Sequence, residues 1–154
     1  MTYRINSPIE DYLLDKKAIN KVCLDVIKSG SYLNGPQLLQ FEEEFEKWNN
    51  SKHVIGVSSG TSAISIALSA LGIQYGDKVI VSGLSAIATY AAIIDSGGIP
   101  NLVDIDPSTG LMDLNQISKI VDKKTKFIVV VHLYGNPVDM YALLEIAGKF
   151  GLKV

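Results

Sequence analysis

Small hydroxyl-bearing residues stand where an apolar run gives way to an alanine-rich run, in the stretch VSSGTSAISIAL from Val57 to Leu68. The first run predicts a strand and the second a helix, so SSGTS falls at the N-terminus of a helix. Free backbone N–H groups and the helix dipole favour an anion there. Gly60 lets a ligand approach the backbone, and Thr61 and Ser62 add hydroxyl donors. The pentapeptide therefore predicts either a phosphate site or an ordinary N-cap, and both interpretations stay open.

A second group of polar residues follows the apolar run Phe127–Val131, in the segment VHLYGNPVDM. Its polar members are His132, Tyr134 and Asn136. They are predicted to lie at the carboxyl edge of a sheet, where α/β folds bind ligands. On physical grounds His132 is predicted to be a hydrogen-bonded structural residue. Asp104 and Asp106 could form a paired-carboxylate site, but turn and loop carboxylates are the favoured interpretation.

Other signatures of phosphate and metal chemistry are missing from the sequence. Neither G-x-x-x-x-G-K-[ST] nor G-x-G-x-x-G occurs, which disfavours a P-loop nucleotidase and a dinucleotide fold. His53 and His132 are far apart and have no ligand-spaced neighbours, so no metal site is predicted. Cys23 lies in a helical pattern and is predicted to be a small core residue rather than a nucleophile.

The first fifty residues predict helices. One spans Asp15–Lys28 and ends before Gly30, and Pro36 opens a second. The second carries apolar residues on one face and a run of acidic ones: Glu42, Glu43, Glu44 and Glu46. This run is interpreted as a solvated face without a function.

From His53 onward short β-branched runs alternate with helical patterns, which predicts an α/β fold with a mostly parallel sheet flanked by helices. The predicted strands are Val54–Val57, Val79–Val81, Leu102–Ile105 and Phe127–Val131. The predicted helices are Ser62–Leu71, Ala86–Asp95, Leu114–Val121 and Met140–Phe150. Asp113 and Asp139 are the expected N-caps. Glycines at 72, 97 and 151 are expected just past helix ends.

Charge and composition argue against some partners and some cellular locations. A formal charge of −2 argues against nucleic acid as a partner, and the apolar runs are too short to span a bilayer. The N-terminal stretch MTYRINSPIEDYLLDKK has no apolar core of signal-peptide length. A single cysteine excludes an intrachain disulfide and favours a reducing compartment. A cytoplasmic location is therefore expected.

Five segments together resemble the DegT/DnrJ/EryC1/StrS aminotransferases, a family of sugar aminotransferases among the fold-type I pyridoxal-phosphate enzymes. The segments are LNGPQLLQFEEEFEKW, VSSGTSAISIALSALGIQYGDKVIV, IATYAAI, VDIDPSTGLMD and TKFIVVVHLYGNPVDM. They occur in the family's order and spacing, from about Ser31 onward. The resemblance implies the incomplete, N-terminal part of the pyridoxal-phosphate-binding large domain, with a helical segment over 1–50 and an α/β core over 51–154. The final GLKV starts like a further buried strand, so the chain is expected to be cut within a fold.

The resemblance also implies the chemistry. Family members move an amino group, usually from glutamate, to a nucleotide-linked keto sugar, and they complete their sites as homodimers. Their S-G-T segment holds the phosphate of pyridoxal 5'-phosphate, which assigns Gly60, Thr61 and Ser62 to that role. The family's catalytic lysine and its cofactor-binding aspartate fall beyond Val154. No catalytic residue is therefore expected in this chain, which is predicted to be inactive alone.

Two departures from the family pattern are visible. Relatives commonly place an aromatic residue against the cofactor ring in a segment resembling T-F-x-A-T, where this chain has Ala86. None of the lysines present, such as Lys52, Lys78, Lys126 or Lys153, stands in the family's lysine motif. Two alternatives stay open: a non-catalytic short paralogue that binds a phosphate ligand or a full-length partner, and a sugar dehydratase of the same family that has histidine in place of the lysine.

Overall fold

The computed structural model describes residues 7–154, so the first six residues of the N-terminal stretch lie outside it. The chain divides into two compact units, the first ending at Gly56 and the second covering Val57–Val154. Within residues 7–154, no helix combines the length and the apolar character needed to cross a membrane.

The first unit consists of helices α1 (Pro8–Leu14), α2 (Lys16–Ser29) and α3 (Pro36–Asn49). Helices α1 and α3 begin at a proline, a residue whose fixed φ suits the first helical position and whose missing N–H costs no hydrogen bond there. Helix α2 ends at Gly30, which has φ +70° and donates its N–H to the Ile27 carbonyl. The predicted helix at 15–28 and the predicted start at residue 36 are therefore confirmed to within one residue.

The side chains of the first unit are less buried than the sequence predicts. Cys23 is exposed on α2, so its prediction as a core residue was wrong. None of the helices α1, α2 and α3 buries a side chain fully. In α3 the rings of Phe41 and Phe45 have centroids 5.6 Å apart, and those of Phe45 and Trp48 are 5.2 Å apart. The predicted apolar face of α3 therefore forms an aromatic cluster.

The second unit alternates helices and strands as predicted. Its helices are α4 (Gly60–Ala70), α5 (Ile87–Asp95), α6 (Leu114–Ile120) and α7 (Met140–Phe150), with a short 3-10 turn at Leu133–Gly135. Its strands are β1 (Lys78–Ser82), β2 (Ile99–Val103) and β3 (Thr125–Val129). Asp113 and Asp139 cap α6 and α7 by accepting the N–H groups of Asn115 and Ala142, as predicted.

The three strands form one parallel sheet in the order β2-β1-β3, with a hydrophobic cluster on each face. One cluster joins sheet residues to α4 and α5 and includes Leu68, Val79, Val81, Ile93 and Phe127. The other joins the sheet to α6 and α7 and includes Ile80, Val103, Ile117, Ile128 and Leu143. Because both faces of the central strand are covered, β1 contains a continuous buried apolar run, Val79–Val81. The predicted α/β fold with a parallel sheet is confirmed.

Two strand predictions, at 54–57 and 102–105, were wrong because local composition does not record the tertiary partners of these segments. Residues 54–57 form no strand, because the N–H groups of Val54 and Gly56 bond to side chains of α3 instead. Strand β2 starts at Ile99, three residues before its predicted start, and includes Pro100. Proline has no N–H for a ladder and argues against a strand, but an edge strand tolerates it, and β2 pairs with β1 alone in this sheet.

The salt bridge between Lys78 and Asp122 links the first residue of β1 to the turn that precedes β3. Asp122 also accepts the N–H of Lys124 at 2.9 Å and lies 3.1 Å from the Thr125 hydroxyl oxygen. The hydrogen bond from Lys78 is the largest cause that lowers the pKa of Asp122, from 3.8 to about 2. The carboxylate is exposed, so this interaction is screened by salt.

We predict that Asp122→Asn lowers stability in a pH-dependent way. The native carboxylate has a depressed pKa, so its stabilisation is fully present above the usual 3.8 and is lost as the pH falls through about 2. Urea unfolding should show a gap between the natural protein and the variant near neutral pH that shrinks on acidification. Asn136→Ser, which replaces one neutral exposed side chain with another, is the control. A gap of constant size at every pH would contradict the prediction.

Candidate functional site

The carboxyl edge of the sheet brings together the ends of its strands and the starts of two helices. Strands β1, β2 and β3 are parallel, so Ser82, Val103 and Val129 lie at the same edge. Helices α4 and α5 pack against each other and on one sheet face. Because α4 precedes β1 and α5 follows it, both helices run antiparallel to the strand. Their N-termini therefore lie on the side where open α/β sheets bind ligands.

Ser59 is the N-cap of α4. Its backbone is extended, with φ −164° and ψ 162°, and its hydroxyl accepts the N–H of Ser62 at 3.1 Å. Its carbonyl accepts the N–H of Ala63 at 2.9 Å. Two of the helix's early donors are thereby satisfied. The cap predicted for this stretch exists, and Ser59 provides it.

Gly60 and Thr61 differ from Ser59 because their hydrogen-bond donors are not used. Neither their backbone N–H groups nor the Thr61 hydroxyl forms a hydrogen bond within the described part of the chain. A Cβ placed on Gly60 would meet no atom of that part within 4 Å. The end of α4 therefore combines free donors, a helix dipole and open space, which suits an oxyanion.

Ser62 is the most constrained of the three predicted phosphate ligands. Its hydroxyl oxygen lies 3.0 Å from the hydroxyl oxygens of both Ser58 and Ser59. Its N–H is already used by the Ser59 cap. Either oxygen can be the donor in these contacts, so Ser62 keeps its one hydrogen for an anion when Ser58 and Ser59 donate to it.

The turn between β1 and α5 carries Ala86, which is exposed and is the N-cap position of α5 without any side-chain cap. The turn is fixed from both sides. The Ser85 and Thr89 hydroxyl oxygens are 2.9 Å apart, and the Tyr90 hydroxyl donates to the Ser82 carbonyl at 2.8 Å. Ala86 thus lies at the same sheet edge as the start of α4, on a well-supported turn.

The loop after β3 holds His132 in place through its ring. The Val138 N–H donates to His132 Nδ1 at 3.1 Å, so Nδ1 is an acceptor and carries no proton in this arrangement. This confirms the prediction of a hydrogen-bonded structural histidine. Tyr134 is 99% exposed and has φ +53°, a conformation that non-glycine residues seldom adopt. Asn136 is exposed in the same loop.

The aspartates near β2 have local partners. Asp104 accepts the Ile105 N–H, and Asp106 accepts both the N–H and the hydroxyl of Ser108, at 2.8 and 2.6 Å. The Ser108 hydroxyl is the main cause that lowers the pKa of Asp106. These bonds confirm turn and loop roles. Across residues 7–154, no three His, Cys, Asp or Glu side chains are grouped so that they could hold a metal ion.

Comparison with known families gives a match over most of the chain. The model of the DegT/DnrJ/EryC1/StrS aminotransferase family matches residues 14–154. The chain belongs to this aminotransferase family. The resemblance inferred from five sequence segments is therefore confirmed, and the match begins well before Ser31.

Curated members of the family share about two residues in five with this chain. The 3-oxo-glucose-6-phosphate:glutamate aminotransferase of Bacillus subtilis is 40% identical over 149 residues, which are 97% of this chain and 32% of the relative. A dTDP-3-amino-3,4,6-trideoxy-alpha-D-glucose transaminase of Streptomyces venezuelae is 40% identical over 129 residues, 84% of this chain and 34% of the relative. The chain thus spans about a third of the length of these aminotransferases.

Solved structures from the family have the same fold. DesV from S. venezuelae, solved in complex with a ketimine intermediate, matches with a TM-score of 0.91 and 35% identity, covering 98% of this chain and 41% of that one. The GDP-4-keto-6-deoxy-D-mannose-3-dehydratase of E. coli, solved with hydrated PLP, matches with a TM-score of 0.77 and 30% identity, covering 86% and 36%. Sugar aminotransferases and a sugar dehydratase therefore share the architecture described above.

We predict that the two hydroxyls at the start of α4 differ in their effect on stability. Ser59→Ala removes the cap and should lower the free energy of unfolding by about 0.5–2 kcal/mol. Thr61→Val keeps the shape of the side chain and breaks no hydrogen bond in the described structure, so its effect should stay within about 0.5 kcal/mol. Urea unfolding without cofactor measures both. If Thr61→Val costs as much as Ser59→Ala, the assignment of the cap is wrong.

Proposed function

We propose that the full-length protein is a pyridoxal-phosphate-dependent aminotransferase that transfers the amino group of glutamate to a nucleotide-linked keto sugar. Membership of the family and the likeness to sugar transaminases support the reaction class. One structural observation supports the role of this chain. The capped start of α4 leaves the donors of Gly60 and Thr61 open at the ligand-binding edge of the sheet.

The residues at the start of α4 fit the phosphate of the cofactor. Gly60 would contribute its backbone N–H and the room above it, and Thr61 its N–H and hydroxyl. Ser62 would add its hydroxyl hydrogen, with Ser58 and Ser59 donating to its oxygen. The dipole of α4 favours the phosphate's negative charge in addition to these direct bonds. When bound, the pyridine ring of the cofactor supplies an electron sink for amino transfer.

Ala86 is proposed to lie beside the cofactor ring but to contribute little contact with it. An alanine buries far less apolar surface than the aromatic side chain that relatives commonly place there. A side chain from elsewhere in the full-length protein would then cover that face of the ring, or cofactor affinity would be lower. A homodimer with sites completed at the subunit interface is part of the proposal and rests on the family resemblance.

The chain described here supplies the phosphate site and no catalytic lysine under this proposal. None of the lysines present, such as Lys52, Lys78, Lys126 or Lys153, stands in the family's lysine motif. We therefore expect residues 1–154 alone to transfer no amino group. A dehydratase is the second candidate, because the E. coli dehydratase has the same fold at 30% identity. A non-catalytic paralogue that binds a phosphate ligand or a full-length partner is the third.

We predict that the full-length protein, given pyridoxal phosphate, ¹⁵N-glutamate and a nucleotide-linked keto sugar, forms a ¹⁵N-labelled amino sugar and an equal amount of 2-oxoglutarate. Mass spectrometry of the sugar product measures the transfer. A keto sugar 6-phosphate belongs in the same assay, because the Bacillus relative is named for such a substrate. A product that has lost a hydroxyl group without gaining nitrogen would indicate the dehydratase. No reaction with dTDP-linked, GDP-linked or 6-phosphate keto sugars would contradict the aminotransferase proposal.

We predict that Thr61→Val in the full-length protein weakens the binding of pyridoxamine 5'-phosphate. This amine form cannot bond covalently to a lysine, so its affinity reports the non-covalent contacts. Losing a hydrogen bond to a charged group costs about 1.5–3 kcal/mol, which corresponds to a roughly ten- to hundredfold higher dissociation constant. Ser59→Ala is the control and should alter stability more than affinity. An unchanged dissociation constant for Thr61→Val would place the phosphate elsewhere.

A further inference from the structure

Two glutamates of α3 behave differently from the other acidic residues of the EEEFE run. Glu42 and Glu46 are half-buried, whereas Glu43 and Glu44 are exposed. Both half-buried carboxylates accept backbone N–H groups from the segment that follows α3. Glu42 Oε1 accepts from Gly56 at 2.7 Å, and Glu46 Oε1 accepts from Val54 at 3.0 Å. The interpretation of the whole run as a solvated face was therefore wrong for these two residues.

The spacing of the two bonds follows from helix and strand geometry. Residues four apart on a helix rise about 6 Å, and residues two apart in an extended chain span about 6.6 Å. Glu42 and Glu46 can therefore bond alternate N–H groups of one edge of an extended segment. Because Glu42 accepts from Gly56 and Glu46 accepts from Val54, the segment 54–56 runs antiparallel to α3. We call this pair of glutamates the carboxylate clamp.

Gly56 makes the close approach possible. A Cβ at this position would lie 2.4 Å from Leu38 Cδ1 and 3.4 Å from Glu42 Oε1. Any side chain would have to displace Leu38 before the N–H could reach the carboxylate at 2.7 Å. The glycine and the carboxylate thus provide two separate indications that the segment is held against α3 within the first unit.

We propose that Glu42 and Glu46 are positioning residues for the phosphate site at the start of α4. Gly56 is bonded directly to Val57, and the site begins at Ser58. Fixing the backbone at 54 and 56 therefore restricts the conformations with which the chain enters the site, and it does so through covalent continuity alone. The proposal rests on the proposed function, because the ligand whose affinity it affects is the cofactor.

Hydrogen exchange of single amides in the full-length protein tests the clamp without any cofactor. Glu42→Ala should speed exchange of the Gly56 amide, and Glu46→Ala that of the Val54 amide, each roughly tenfold or more. Glu42→Gln and Glu46→Gln keep a carbonyl oxygen as acceptor and should restore most of the protection. Glu43→Ala is the matched control, because this neighbour is exposed and should leave both amides unchanged.

The second measurement is the affinity for pyridoxamine 5'-phosphate. The alanine variants should bind it roughly two- to thirtyfold more weakly, and the glutamine variants close to normally. Unchanged exchange at both amides overturns the proposal, as does faster exchange with unchanged affinity. Thr61→Val separates the two possible failures. If Thr61→Val weakens affinity and the clamp variants do not, the clamp proposal alone fails, whereas unchanged affinity for Thr61→Val means that the phosphate site itself is misplaced.

Discussion

The start of helix α4 carries more backbone donors than a helix can satisfy by itself, and the functional interpretation of this chain depends on that constraint. The first four N–H groups of any α-helix have no intrahelical partner. Ser59 supplies an acceptor for Ser62, while Gly60 and Thr61 have none in the described part of the chain. Leu68, buried against the sheet, anchors the helix, so its open donors are held at the ligand-binding edge.

The parts of the fold that sequence predicted well are those governed by local chemistry. Asp113 and Asp139 mark helix starts because their side chains accept the first N–H groups, and Pro36 marks one because its ring fixes a helical φ at the first position. The failures are set by tertiary partners. Residues 54–57 have the composition of a strand, yet carboxylates of α3 accept the N–H groups of Val54 and Gly56. Pro100 fits within β2 only because that strand pairs on one side in this sheet, a fact that no local pattern records.

The sequence located the candidate site but did not show which of its residues caps the helix and which is free to bind a ligand. SSGTS contains four hydroxyl side chains, and every one of them is an acceptable cap, so the pentapeptide left the cap and the phosphate site as rivals. The structure makes them compatible, because Ser59 caps the helix and Thr61 remains open. A signal for Ser59 was present, since it directly precedes the first helical residue. No comparable signal distinguished Glu42 and Glu46 from Glu43 and Glu44, because their burial depends on where the chain returns after α3.

Binding of the cofactor phosphate at the start of α4 would be seen in a structure of the full-length protein with pyridoxamine 5'-phosphate. We expect phosphate oxygens at about 2.7–3.0 Å from the Thr61 hydroxyl and from the N–H groups of Gly60 and Thr61. The Ser59 cap should be unchanged in that complex. A phosphate bound elsewhere, with the donors of Gly60 and Thr61 bonded to water or to protein groups, would contradict it.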